Sequence, residues 1–379
     1  MTASTGLLTI DLNAIVANWR YLRAYVATAE VCAVIKADAY GLGAEPVGRA
    51  LYGAGCRRFF FATLPEAVDA RRYLPADAHC YVLGVVPAGQ ESLLQVHALT
   101  PVLSSMADVR QWRVWRAKAA GAPQCVVKFD SGMTRMGLDE SELDELAQTA
   151  GGFEALGVEC VMSHLACADE PGHPMNEQQQ QRFAHVCERL RVSHPRLQFS
   201  LANSSGIFLG ERYHYDRVRP GAALYGYAPD PEQANPMRAV VSLTLPLLQL
   251  RKLSRRAHVG YGATRSLDEG RVLAVVAGGY ADGLHRLLGP AGVAMCGGVK
   301  VPVVGRVSMD TTLFDVSEVP GIDQWLGKPL SEVPLSFVVL GPELGLSEIT
   351  QRNGALGYEV LTSLGSGRYR RRYLEVGDD

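Results

Sequence analysis

Eight short β-rich runs recur along the first 221 residues of this 379-residue chain, each separated from the next by a longer segment with helical spacing. The runs are VCAVIKA (31–37), RFFFAT (58–63), CYVLG (80–84), TPVLSS (100–105), QCVVKFD (124–130), VECVMSHL (158–165), QFSLANS (198–204) and DRVRPG (216–221). Between them lie segments such as EPVGRALYGAG, LPEAVDARRYL and NEQQQQRFAHVCERLRV, which mix apolar and charged residues at helical intervals. Alternating β and α segments imply a parallel sheet. Eight repeats over this length predict an α/β fold, a (β/α)8 TIM-like barrel. An open doubly wound sheet is the alternative, but no GxGxxG follows an early strand.

The pattern changes across YAPDPEQANPMRAV (227–240), where Pro229, Pro231 and Pro236 mark a linker. Beyond it the runs are strand-like and broken by glycine, with little helix until ITQRNGALGYEVLTSL. The expected organisation is a barrel over residues 11–233 followed by a mostly β C-terminal domain over 234–379. The opening strand, within 1–10, is expected to join the second domain.

Hydrophobic residues make up 47% and charged ones 20%, enough apolar surface for a large core, which excludes disorder of the whole chain. Lys and Arg total 37 against 39 Asp and Glu, so no basic footprint for nucleic acid or polybasic membrane signal exists. No apolar stretch is long enough for a membrane helix, and MTASTGLLTIDL does not read as a signal peptide. The expected location is the cytoplasm. The eight cysteines form no CxxC and the nine histidines no HExxH, so reduced thiols and no metal site are expected.

Reactive residues of a parallel barrel lie at the C-terminal ends of its strands. Here those ends carry Lys36, Thr63, Lys128 with Asp130, His164, Asn203 with Ser204, and Arg219. Lys36 follows five apolar residues. Desolvation there lowers an ammonium pKa and leaves a nucleophilic amine suited to a Schiff base; a lysine snorkelling to solvent is the competing reading. Gly221 and Ala222 open a helical turn after Arg219. Their N–H groups, with Ser204, form a candidate phosphate site where barrels often hold one, after strands seven and eight; an ordinary βα turn with a capping serine is the alternative. A phosphate there and an amine on the first strand together suggest pyridoxal phosphate.

These residues sit in longer motifs. AVIKADAYGLGA (33–44), KFDSGMTRMG (128–137), SHLACAD (163–169), ANSSG (202–206), VRPGAALYG (218–226), VGYGAT (259–264), GYADG (279–283) and GRVSMD (305–310) resemble, in order and spacing, the motifs of alanine racemase, a pyridoxal-phosphate enzyme of fold type III. The resemblance implies a homodimer with shared active sites. It implies that Lys36 holds the cofactor and serves as one catalytic base, and that Tyr261, from the other subunit, serves as the second on the opposite face. It places Tyr40, Asn203, Ser204, Gly221 and Ala222 around the cofactor, the phosphate above all. Arg219 falls against the pyridine nitrogen, and His164 beside it, both expected to help lower the phenol pKa of Tyr261. Arg135 and the backbone of Met309 are implied to meet the substrate carboxylate. Lys128 matches a position often carbamylated, where it would support Arg135. Arg306 and Asp310 look like supports around Tyr261, and Tyr280 like a residue of the substrate entrance.

The implied reaction is racemisation of alanine, supplying D-alanine for a cell-wall precursor or consuming it. One departure stands out. The family's tyrosine after the C-terminal helix is replaced here by Ser366 or Gly367, with Tyr369 able to substitute from a shifted register. A wider entrance would admit serine or larger side chains. Two other readings are a fold type III decarboxylase, which needs an acid where Arg219 stands and a catalytic cysteine where only Cys296 is available, and a cofactor-binding protein without a second base.

Overall fold

A computed structural model of the chain describes residues 5–149, 151–284, 291–375 and 377. Parts of the two expected domains, residues 1–4, 150, 285–290, 376, 378 and 379, lie outside the described residues.

Strand β1 (Leu7–Asp11) opens the chain and ends at Asp11, whose carboxylate accepts from the Ala14 amide at 3.0 Å and caps helix Leu12–Val26. Then follow β2 (Glu30–Val31), β3 (Ala33–Val34), β4 (Arg58–Phe61), β5 (His79–Val82), β6 (Leu99–Leu103), β7 (Cys125–Lys128), β8 (Val158–Met162), β9 (Gln198–Ser200) and β10 (Arg217–Val218). Strands β3 to β9 form one parallel sheet in chain order. Strand β10 closes the ring. It pairs with β2 in parallel, and the Cys32 and Val34 amides reach the Val218 and Pro220 carbonyls at 3.0 and 2.9 Å. On its other flank the Asp216 amide reaches Phe199 O and the Arg219 amide reaches Ala202 O, both at 3.0 Å. The eight sequence runs thus stand around one TIM-like barrel.

Side chains that point inward, among them Val34, Phe60, Tyr81, Val126 and Met162, fill the barrel axis. One end is closed by a buried polar cluster in which Glu159 accepts from Arg217 at 2.9 Å and from the Tyr81 hydroxyl at 2.8 Å. Such charges tolerate burial because they are paired. All eight cysteines are free thiols, seven of them buried.

Asn18, on the first helix, pins the end of the linker to the barrel. Its side-chain amide donates to Leu224 O and Arg238 O at 3.2 and 3.1 Å and accepts from the Arg238 amide at 2.7 Å. The second sheet is built on β11 (Val241–Lys252), which alternates buried Val241, Leu243, Leu245 and Leu247 with less buried neighbours. Beyond it come β12 (Ala257–Val259), β13 (Arg265–Leu267), β14 (Val272–Ala277), β15 (Val293–Cys296), β16 (Val299–Pro302), β17 (Thr311–Asp315), β18 (Ser336–Leu340) and β19 (Arg370–Leu374). The order β16-β15-β18-β11-β1-β19 runs across the sheet, with β14 branching from β11 and carrying β17. Strand β1 lies antiparallel to β11 and parallel to β19, so both ends of the chain enter this sheet. No described helix is long and apolar enough to cross a membrane.

The structure departs from the sequence reading at the first barrel strand. Extended pairing stops at Val34, and Lys36 begins a left-handed turn in which Ala37, Asp38, Ala39 and Tyr40 have φ of 53°, 54°, 52° and 57°. Each such non-glycine residue costs roughly 1–2 kcal/mol, so the turn needs external support. The second domain supplies it. Gly41 (φ 86°) presses on helix Gly357–Gly365, where a Cβ would meet Leu361 O at 2.8 Å. Arg371 pairs with Asp38 at 3.1 Å and donates to Gly365 O at 2.6 Å. The Tyr373 hydroxyl donates to Leu42 O at 3.0 Å. Gly41→Ala is therefore expected to lower unfolding free energy by about 2–4 kcal/mol, through strain and the lost close approach. Urea denaturation checks this, and a loss under about 1 kcal/mol would mean that the helix is not seated on the turn.

Candidate active site

The C-terminal ends of the barrel strands open into a cleft of about 710 Å³, within the range of small-molecule sites. Lys36, Lys128, Arg135, His164 and Arg219 all line it. Packing this many cationic or basic groups together, partly out of water, perturbs each of them. Burial, then the Arg135 charge, lowers the Lys36 pKa, opposed by Glu66. Burial with Arg135 and Arg219 brings the Lys128 amine down to about 8. His164 is brought down to about 3 by burial and then by Arg219, Lys128, Arg135 and Lys36. It is neutral at pH 7. The positive charge expected of it toward a phenol is therefore missing, because burial and four neighbouring cations disfavour a fifth.

Arg219 is buried at the end of β10. Its guanidinium donates to the Ser200 hydroxyl and to the carbonyls of Ser163 and Leu201. Burial lowers its pKa only to about 10, so it stays charged at neutral pH.

The other end of the cleft is a cradle of hydroxyls and amides. The Ser204 hydroxyl accepts from the Gly221 and Ala223 amides at 3.0 and 3.1 Å, joining the loops after β9 and β10. A Cβ on Gly221 would run into the Tyr40 hydroxyl, so glycine lets that hydroxyl approach the loop. Burial, with some help from Tyr358, pushes that hydroxyl up to about 12, so it remains a donor. Ala222 opens a 3-10 turn beside it, and Asn203 turns its carboxamide oxygen to the Gly206 amide at 2.9 Å. Donors converging near a helical N-terminus suit an anion.

Several supports were not singled out in the sequence. Gln179 is buried on helix Pro174–Ser193 and donates to the Ser131 hydroxyl and His164 O at 3.1 and 2.9 Å, while accepting from the Ala166 amide at 2.9 Å. It fixes the loop that carries His164. Nothing separates it from its neighbours in the run of four glutamines. Glu66, Asp38 and Arg371 likewise act on the Lys36 turn through contacts that no local pattern reveals.

Residues 10–229 match the family model of the alanine racemase N-terminal domain, and residues 240–373 that of its C-terminal domain. An alanine racemase of Rhodospirillum rubrum is 44% identical over 371 residues, covering 98% of this chain and 96% of the relative. A catabolic alanine racemase of Mesorhizobium japonicum is 42% identical over 372 residues, covering 98% and 94%. The crystal structure of alanine racemase from Bartonella henselae with covalently bound pyridoxal phosphate superposes with a TM-score of 0.90 at 35% identity, covering 98% of this chain and all of that one. The chain belongs to the alanine racemase family.

Five residues singled out by the family motifs lie outside the cleft lining of their own chain. Tyr261 is 70% exposed, Met309 is 53% exposed, and Tyr280, Arg306 and Asp310 are also at the surface of the β domain. They are close to one another: the Tyr280 and Ala281 amides bond to Ser308 O and Met309 O at 2.9 and 3.1 Å, and the Arg306 guanidinium lies beside Gly262. Asp310 pairs with Arg368 at 2.7 Å rather than with Tyr261.

Tyr369 does not stand in for the family's gate tyrosine. Tyr369 lies just before β19, and its ring packs against Gly6 and Gly367, outside the cleft lining. The Ser366 hydroxyl donates to Ser363 O at 2.8 Å and also misses the cleft. Its C-terminal wall is instead made by Leu356, Tyr358 and Thr362, with Tyr227 edge-on to Tyr358 at 5.9 Å.

The depressed His164 pKa sets a stability dependence on pH. The unfolded imidazole takes a proton below about 6.5 while the folded one stays neutral down to about 3. Stability contributed by the neutral form is thus lost as pH falls from 6.5, at up to about 1.4 kcal/mol per unit. His164→Gln is expected to flatten the unfolding free energy between pH 6.5 and 4; an unchanged slope would show that the folded imidazole protonates normally.

Proposed function

We propose that this chain interconverts L- and D-alanine with pyridoxal phosphate as cofactor, using Lys36 and the partner subunit's Tyr261 as the two bases. The observation that carries the reading is one cleft holding a half-buried amine of lowered pKa at one end and an anion cradle at the other. That donor set suits a phosphorylated aldehyde. Lys36 would hold the aldehyde carbon, and Tyr40, Ser204 and the amide of Ala222 would hold the phosphate. When bound, the cofactor supplies an electron sink that acidifies the Cα proton of an attached amino acid.

The chain's own groups then decide the outcome. Lys36 takes or returns the proton on one face of Cα, and the phenol of Tyr261 of the partner subunit does so on the other. Bases on opposite faces are what inversion requires. Arg135 would orient the substrate carboxylate, helped by the backbone of Met309 of the partner subunit. Arg219 offers only N–H to the ring nitrogen, so nothing there donates a proton to it. Lys128, at about 8, keeps the neutral amine fraction that carbamate formation beside Arg135 would need. The exposure of Tyr261 and Met309, outside their own chain's cleft, supports a homodimer with shared sites. The same division supports a boundary near 233/234 between barrel and β domain, with the first strand joining the latter.

The aromatic wall of Tyr227 and Tyr358 favours alanine over the larger side chains that an open gate would admit. The decarboxylase reading lacks its acid at Arg219, and Cys296 is buried in β15 with its thiol pushed up to about 11.

Incubation with L-alanine in D₂O and chiral chromatography with mass detection tests the whole reading. Deuterated D-alanine is expected; amine products with loss of CO₂ would replace the reading by the decarboxylase. Lys36→Ala should remove the visible absorption of lysine-bound cofactor and cut turnover by more than about 10³-fold, as loss of a nucleophile and base together implies. Tyr261→Phe should slow proton removal from one enantiomer about 10²-fold or more beyond the other. Equal losses would leave that hydroxyl a structural group.

A further inference from the structure

Glu66 stands at the third position of helix Leu64–Ala70, in a capping box with Thr63. A capping glutamate needs only to reach back to its own N-cap. This one does more. One carboxylate oxygen accepts from the Ala62 amide at 2.8 Å and the Thr63 amide at 3.3 Å, at the end of β4. The other leaves the helix and accepts from the Ala37 amide at 3.1 Å, the first amide after Lys36 in the left-handed turn. A single carboxylate therefore bridges the ends of two neighbouring barrel strands at the reactive amine. We propose that Glu66 is a positioning residue for Lys36, fixing the start of its turn through the backbone and holding negative charge beside its amine.

The charges around Lys36 make this matter. Arg135, Lys128 and Arg219 are cations facing the same cleft, His164 is neutral there, and Asp38 on the turn itself is engaged by Arg371. Glu66 is the neighbour that opposes Arg135 at the amine. An amine that must both lose and regain a proton needs its affinity held near the working pH. Burial and Arg135 both lower that affinity, and Glu66 raises it. The proposal rests on the reading of Lys36 as the reactive amine.

The full-length chain, freed of cofactor with hydroxylamine and dialysed, is labelled with acetic anhydride across pH, and the Lys36 peptide is quantified by mass spectrometry. Glu66→Gln removes the charge, and the Lys36 titration midpoint is expected to fall by about one pH unit. Thr63→Ala breaks the helix cap without touching the charge and should leave the midpoint in place. Glu66→Asp keeps the charge but is too short to bridge both strands. Its midpoint should stay near the parent's, while hydrogen exchange at the Ala37 amide accelerates at least tenfold. An unmoved midpoint in Glu66→Gln, an equal shift in Thr63→Ala, or unchanged exchange at Ala37 in Glu66→Asp would overturn the proposal. None of these readouts needs turnover, so a chain that fails to racemise alanine would strike the functional reading and leave this one standing or falling by itself.

Discussion

The left-handed turn from Ala37 to Tyr40 is the constraint around which the two domains are arranged. An L-residue chain does not form such a turn unaided, because each Cβ crowds the following carbonyl. Here the crowding is outweighed by bonds from three directions. Glu66 takes the first amide, Asp38 accepts from the Ala44 amide at 2.7 Å, and Arg371 with Tyr373 reaches in from the last strand. The result sends the Lys36 side chain into the cleft while Tyr40, at the end of the same turn, meets Gly221 across it. One strained turn thus sets both ends of the site.

Charge is the second organising theme. Lys36, Arg135, Lys128 and Arg219 share a cleft, and burial first, then their mutual repulsion, keeps His164 neutral and depresses the lysines. A free protein pays for that crowding in stability. An anionic ligand relieves it, because its negative charge offsets the mutual repulsion of the cations. The cleft is preorganised for negative charge at a cost written into its own pKa values.

The barrel was readable because strands covered on both faces appear as nearly unbroken apolar runs such as RFFF and CVVK. DRVRPG shrank to two paired residues, since its remaining backbone bonds run to the ends of β3 and β9 rather than along a ladder. The lysine was readable from its place at a strand end. Its turn was not: Ala and Tyr disfavour positive φ, and only Asp38, Gly41 and Gly43 hint at it. Tyr369 was misread because its facing is decided by Gly6, at the opposite end of the chain. The second task of Glu66 was hidden behind its first, which any helix start could have asked of it.

Strands β1 and β19 lie side by side although they are the first and last of the chain. On the ribosome the whole barrel emerges long before Arg371 and Tyr373 exist to grip the turn. The sheet that receives β1 likewise lacks its final edge until then. A nascent chain therefore holds its lysine turn by Glu66 and the Asp38–Ala44 bond alone until its last strand is made.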